Sequence, residues 1–383
     1  MLWPVNKRGN ARKLARRSRR GLYVLCALFG LSVPLSLHAE EPSEEAHQEC
    51  EPPAWLTGDE PAFSFESALG PIEYRAGRGM RIGDTGLNIG GFSTFEFDRE
   101  ENGAGQRELD SVSFLLLWEP HPRFRAFAEV DLDSLYTYDT KESESRSNPQ
   151  HTLERVYGEL RLVDAASLRI GKFQTPIGRW NLVPAEPFVW TASSPIVVEE
   201  AFDQHQTGAA VLGSVHRTEG TLRYWVYGQA TDPIDASEDP PAADSGVGGR
   251  LQWDDPLGRW SIGGSYLAAR TGGDWSHLGG ADAALRFGPL ELTSELTLVR
   301  GDGPVRDVWG AYLQGVLDVV YGFHLVARYE YFDPVADDDV SLLDAGVAWT
   351  PLPWLRLKAD YRISTRETDF VTRGLNTSIS IVF

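Results

Sequence analysis

From residue 86 almost to residue 383 the chain alternates apolar and polar residues at period two. A period of two over so many residues describes a succession of extended strands, each with one apolar face. In the first strand Leu87, Ile89, Gly91, Ser93, Phe95 and Phe97 share a face, and Asn88, Gly90, Thr94 and Glu96 take the other. About sixteen such segments follow one another, the last three near 340–350, 354–365 and 373–383. No stretch beyond residue 40 has the apolar length of a membrane helix. If the chain enters a membrane, only a closed β-barrel remains, because backbone polar groups in lipid must be satisfied within the protein. A content of 38 Gly, 12 Trp, 13 Tyr and 17 Phe suits short strands and tight turns.

The connections between strands sort into two alternating kinds. Short ones fall at 119–123, 164–166, 216–219, 254–258, 288–289, 321–322 and 351–353, with longer, more polar ones such as 99–106, 139–150, 231–246 and 300–306 between them. Short turns at one rim and long loops at the other are the plan of an outer-membrane barrel. Aromatic pairs bracket the short turns: Trp118 and Phe124, Trp253 and Trp260, Tyr321 and Phe323, Trp349 and Trp354. Amphipathic rings repeated at one rim form a girdle at the lipid–water boundary. The final strand, Leu375-Asn-Thr-Ser-Ile379-Ser-Ile381-Val-Phe383, resembles the terminal strand signature of bacterial outer-membrane barrels.

The first residues carry an address. Lys7, Arg8, Arg12, Lys13, Arg16, Arg17, Arg19 and Arg20 precede an apolar run at 21–35 and a small-residue cleavage site at Leu37-His38-Ala39. The division expected is a signal peptide over 1–39, a periplasmic extension over 40–85, mobile or else a short plug or partner-binding arm, and a transmembrane β-barrel over 86–383. Cleavage would remove eight of the 36 Lys and Arg and none of the 55 Asp and Glu, taking the formal net charge from −19 to −27. Such a chain is a poor partner for nucleic acid. Cys50 would be the one remaining cysteine, which excludes an internal disulfide and a cysteine-based metal or haem site.

The register opposite the apolar one is rich in charge. Arg125, Arg155, Arg161, Arg169, Arg328 and Lys358 fall there, with Glu129, Asp131, Glu159, Asp282, Glu295, Glu330 and Asp360. A dry interior could not hold so many ions, and sixteen strands enclose enough space for an aqueous channel. The longest connection, 174–205, follows the fifth strand and is the third long loop. Loops of this length inside a compact fold are generally functional. It is expected to fold inward and narrow the pore, with Lys172 and Arg179 at a basic entrance and Glu186, Glu199, Glu200 and Asp203 facing Arg125, Arg155, Arg161 and Arg169. Opposed charges across a narrow wet gap would sort solutes by charge and polarity.

Leu168-Arg-Ile-Gly-Lys-Phe-Gln-Thr-Pro-Ile-Gly-Arg179 resembles the strand-to-loop segment of the phosphate-selective porin O and P family. The strand count likewise resembles the plan of sixteen-stranded porins, whose third loop turns inward. The resemblance implies anion binding by loop lysines and an arginine ladder, and Lys172 and Arg179 match in kind. The family's lysine cluster is absent here and the loop beyond is acidic, which favours a less selective pore. The function expected is passive diffusion of ions and small hydrophilic solutes across the outer membrane, without cofactor or catalytic residue. Outer-membrane lipid and possible sister copies in a homotrimer are the expected partners. A barrel hydrolase would need a Ser/His/acid set; His151, His205, His277 and His324 are its candidates, with no Gly-x-Ser-x-Gly and no metal-spaced His pair beside them.

Overall fold

The computed structural model describes residues 54, 56–101, 105–140, 143–235, 242–301, 307–334, 339–366, 368, 371 and 373–383. The expected signal peptide, Cys26 and Cys50 lie outside the described residues. Three short strands come first, β1 (Phe63–Ser67), β2 (Gly70–Arg75) and β3 (Gly79–Ile82). The wall opens with β4 (Leu87–Glu100), β5 (Gly105–His121) and β6 (Phe124–Asp139), and β7 (Glu144–Arg146) is a short addition to β6. It continues with β8 (Gln150–Val163), β9 (Ala166–Gln174), β10 (His205–Arg217), β11 (Gly220–Gln229), β12 (Ser245–Asp254) and β13 (Trp260–Thr271). The last strands are β14 (Asp274–Phe287), β15 (Leu290–Gly301), β16 (Val308–Val320), β17 (Phe323–Asp333), β18 (Val340–Leu352), β19 (Leu355–Ser364) and β20 (Gly374–Val382).

Each wall strand pairs antiparallel with its neighbours, and β20 returns to pair with β4 from Gly374↔Glu100 to Val382↔Phe92. The sheet is therefore a closed barrel of sixteen strands, β4–β6, β8 and β9–β20. Closure leaves no wall edge unpaired, which is what a barrel in lipid requires. The two registers have opposite fates. Val226, Leu251, Ile262, Leu313 and Ile363 are more than half exposed on the apolar one, while Arg250, Arg328 and Asp344 on the other are at most 1% exposed. Exposed aliphatics and sequestered ions invert the arrangement of a water-soluble protein and define a transmembrane barrel with an apolar outer band. At the short-turn rim Trp118 meets Phe124 edge-on at 6.0 Å, and Phe323 stacks on Trp349 at 4.8 Å.

The structure adds regular elements where no period was legible. β1–β3 fall within the stretch 40–85, expected as an extension without clear pattern, and β3 pairs with the start of β4. Strands of four to six residues joined by tight turns are too short to establish a period. The main apolar cluster also has an unusual place. It joins Ile177, Trp180, Val189, Ile196, Val197 and Phe202, from the segment between β9 and β10, to Leu267, Leu278, Val299, Tyr312, Phe332 and Leu342 on the otherwise polar register of the wall.

Candidate functional site

The segment from residue 175 to residue 204 contains Pro176, Pro184, Pro187 and Pro195, which rule out a long helix or a paired strand. It forms two single turns of 3₁₀-helix, Trp180–Leu182 and Glu186–Phe188, and one short helix, α1 (Ile196–Glu200). Its neck is closed by hydrogen bonds: Thr175 N donates to Gln204 O at 2.8 Å, and Thr175 Oγ1 to Asp203 O at 2.8 Å. The buried Asn181 bridges both sides, with Nδ2 donating to Thr175 O at 2.8 Å and Gln204 O at 3.0 Å.

A segment without its own ladder leaves backbone donors to be satisfied. Here carboxylates of the wall accept them. Glu295 Oε1 on β15 accepts from Arg179 N at 2.9 Å, Trp180 N at 2.6 Å and the Tyr312 hydroxyl at 2.6 Å. Glu330 on β17 accepts from Ile196 N at 2.8 Å, and Asp360 on β19 from Ala192 N at 2.7 Å. Gly178 has φ +62, and a Cβ on it would lie 1.9 Å from Glu295 Oε2, so only glycine permits this approach.

Wall cations serve the carbonyls. Lys358 Nζ pairs with the Glu186 carboxylate and donates to Thr191 O at 2.9 Å. Arg328, fully buried, donates to Thr191 Oγ1 at 2.5 Å, Ser193 O at 2.8 Å and Ser194 O at 3.1 Å. The same guanidinium meets Glu330 at 2.5 Å and Asp344 at 2.8 Å. Arg356 donates to Val189 O at 3.1 Å and lies 4.7 Å over the Trp190 ring.

The residues singled out from the sequence fall into separate groups. Arg125 pairs with Glu119 at 2.6 Å, and Arg161 shares with Arg123 and Arg125 a cleft of about 350 Å³ at the short-turn rim. Arg155 pairs with Glu129 and lies 4.9 Å over Phe127. Arg169 pairs with Glu159 at 2.7 Å and lies 4.2 Å over Tyr157. Arg179 reaches Asp282 at 3.2 Å and Ser261 at 2.7 Å. Lys172 is 3% exposed and donates to Asp235 O at 2.9 Å.

The acidic residues of the segment are not set against those arginines. Glu186 goes to Lys358, while Glu199 and Asp203 line a cleft of about 460 Å³ with Glu154, Lys172 and His205. Glu200 lies beside Glu199 on α1, half-buried. His205 Nε2 sits 2.9 Å from Glu154, and its backbone N donates to Asp203 at 3.0 Å. Enclosure raises the carboxyls of both Glu199 and Asp203 above the ordinary range. Of the remaining histidines considered, His151 lines the same cleft, His277 bonds the Tyr266 hydroxyl at 2.8 Å and His324 lies against Trp190 at 4.6 Å.

Sequence reading missed Asp344 and the apolar patch on the polar register. A signal for the patch was present: Tyr312, Phe332, Val340 and Leu342 interrupt the polar register on β16–β18. Those interruptions mark where the segment docks.

Sixteen strands closed on themselves, with an apolar outer register and a charged opposite one, are the architecture of a porin-type barrel. Its likenesses among solved structures agree. One is Salmonella typhi OmpF in complex with daunomycin, with a TM-score of 0.56 at 11% identity over 78% of this chain and 98% of that one. Another is an anion-selective porin from Comamonas acidovorans, at 0.52 and 10% over 77% and 98%. A third is the outer-membrane-expressed OmpT of Vibrio cholerae, at 0.52 and 12% over 84% and 100%. At such identities the likeness is one of fold. The sequence matches no family model and no curated protein.

Proposed function

We propose that the chain forms a water-filled channel in the outer membrane for passive diffusion of ions and small hydrophilic solutes, narrowed by residues 175–204 folded into the lumen. The observation that carries this reading is the bonding of that segment to the polar register of β15, β17 and β19, through Glu295, Arg328, Glu330, Lys358 and Asp360. A loop held from across the barrel crosses its interior. In this reading the water-filled path lies beside the opposite wall, where the Arg155 and Arg169 side chains, each paired with a carboxylate, stay 21% exposed.

The channel is weakly selective for cations. Lys172 and Arg179, the cations that suggest phosphate binding, are engaged by Asp235 O and Asp282, and in the cleft that Lys172 shares with Glu154, Glu199 and Asp203 the carboxylates outnumber it. Fixed negative charge along a narrow path favours cations. Assembly as a homotrimer belongs to the same proposal. Planar-bilayer recording in a KCl gradient tests it: stepwise currents with a cation-directed reversal potential are expected. Replacing Glu199 and Glu200 by Gln and Asp203 by Asn should move that potential toward anions. A wild-type potential of anion sign, with phosphate blocking the chloride current, would favour the phosphate-selective reading instead.

A further inference from the structure

β1–β3 are attached to the wall in a way that fixes which side of the small sheet faces what. β20 pairs with β4 as far as Phe92, and β3 takes up the same edge of β4 beyond it, with Met80↔Ile89 and Ile82↔Leu87. Residues paired directly across antiparallel strands present their side chains on one face. Following the pairs outward, Leu87 and Ile89 lie opposite Trp118 and Leu116, which are exposed on the outer face of the barrel. Following them inward, Ile82 and Met80 pair with Ile72 and Tyr74, and these with Phe65 and Phe63. One apolar row thus runs without a register change from the outer band of the barrel to β1.

The alternate row is polar. Ser64, Glu73, Arg81 and Asn88 lie on it, paired one to the next. Phe63, Phe65 and Leu69 are about half exposed, at 48%, 53% and 56%. The chain just before β1 is tied to the wall as well, since Trp354 Nε1, in the turn between β18 and β19, donates to Leu56 O at 2.6 Å. Leu87 stands level with Trp118, a member of the aromatic girdle.

We propose that β1–β3 prolong the barrel wall into the membrane boundary on the short-turn side, with Phe63, Phe65 and Leu69 in contact with the lipid of that leaflet. The occupant follows from continuity: the same face, in the same register, is lipid-facing one strand away. Aromatic side chains are favoured at that depth. The segment then acts as an interfacial anchor for the barrel and not as a free arm.

The test uses the full chain with Cys26→Ser and Cys50→Ser, carrying a single cysteine labelled with an environment-sensitive dye and folded into phospholipid vesicles. Phe63→Cys and Phe65→Cys probe the apolar row, Glu66→Cys the alternate one, and Leu116→Cys is the lipid-facing reference; folding is verified by heat-modifiable gel mobility. Doxyl-labelled lipid is expected to quench labels at 63 and 65 to the extent seen at 116 and severalfold more than at 66. Aqueous iodide is expected to do the reverse. Iodide quenching at 63 and 65 equal to that at 66 would overturn the proposal in favour of a free arm. Protection of 63 and 65 from both quenchers would overturn it in favour of coverage by protein, such as a second copy pairing along β1.

Discussion

Arg328 shows how one residue holds the candidate constriction to the wall. It is fully buried, answers both Glu330 and Asp344, and donates to Thr191, Ser193 and Ser194 of the segment. Arg328→Ala leaves the buried Glu330 without its cation and Asp344 with Arg362 alone, and breaking such a buried pair costs about 3–5 kcal/mol. A lower urea midpoint for unfolding in detergent, together with noisier single-channel current, is the expected outcome. Lysine at 328 should not restore either, because a point charge cannot replace a planar fork serving acceptors on five residues. Gly178→Ala meets two obstacles at once, a φ of +62 and a Glu295 oxygen at 1.9 Å from its new methyl. The strained backbone alone costs of order 1–3 kcal/mol, and the same urea titration reads it. Glu199 and Asp203 carry the pH dependence. With their carboxyls raised by enclosure, they lose charge as the pH falls while an exposed carboxylate, near about 4, still keeps it. Cation preference should therefore decline already in mildly acidic solution, and the decline should vanish in Glu199→Gln/Asp203→Asn. A reversal potential that stays flat down to pH about 4 speaks against these groups.

At the scale of elements, the strands and their register were legible in the sequence because alternation is a local property. The facing of Val226 and Leu251 outward and of Arg250, Asp282 and Arg328 away from them follows directly from position along each strand. The docking of the segment was not legible. Glu186 and Lys358 lie 172 residues apart and no local period connects them. Sequence alone therefore sets the acidic side chains of the segment against Arg125, Arg155, Arg161 and Arg169, although three of these have carboxylate partners on the adjacent strand. The apolar interruptions at Tyr312, Phe332 and Leu342 were the available clue. β1–β3 escaped for a different reason, their brevity. The outer face makes its own testable claim. Val226→Arg, at a site 58% exposed on β11, should destabilise the barrel in bilayers by about 2–4 kcal/mol, as cations near the midplane of a barrel do. Urea unfolding in vesicles measures it, and a neutral result would mean that this face does not meet lipid.

For the whole molecule, the closed wall and the segment bound to its polar register combine, in the function proposed above, into a water-filled tube with a fixed obstacle. The wall needs no internal oil core, because its apolar register is satisfied by lipid. The larger apolar cluster among the described residues joins the segment to the wall, so a constriction built from it is packed and not merely tethered. A packed constriction gives a stable conductance, whereas a tethered one would flicker. Single-channel conductance in planar bilayers, wild type beside a variant lacking residues 184–194, tests this directly. Stepwise openings are expected from both, with larger steps from the variant. No steps from correctly folded wild-type protein over repeated insertions, or steps of equal size in the two, would contradict the account.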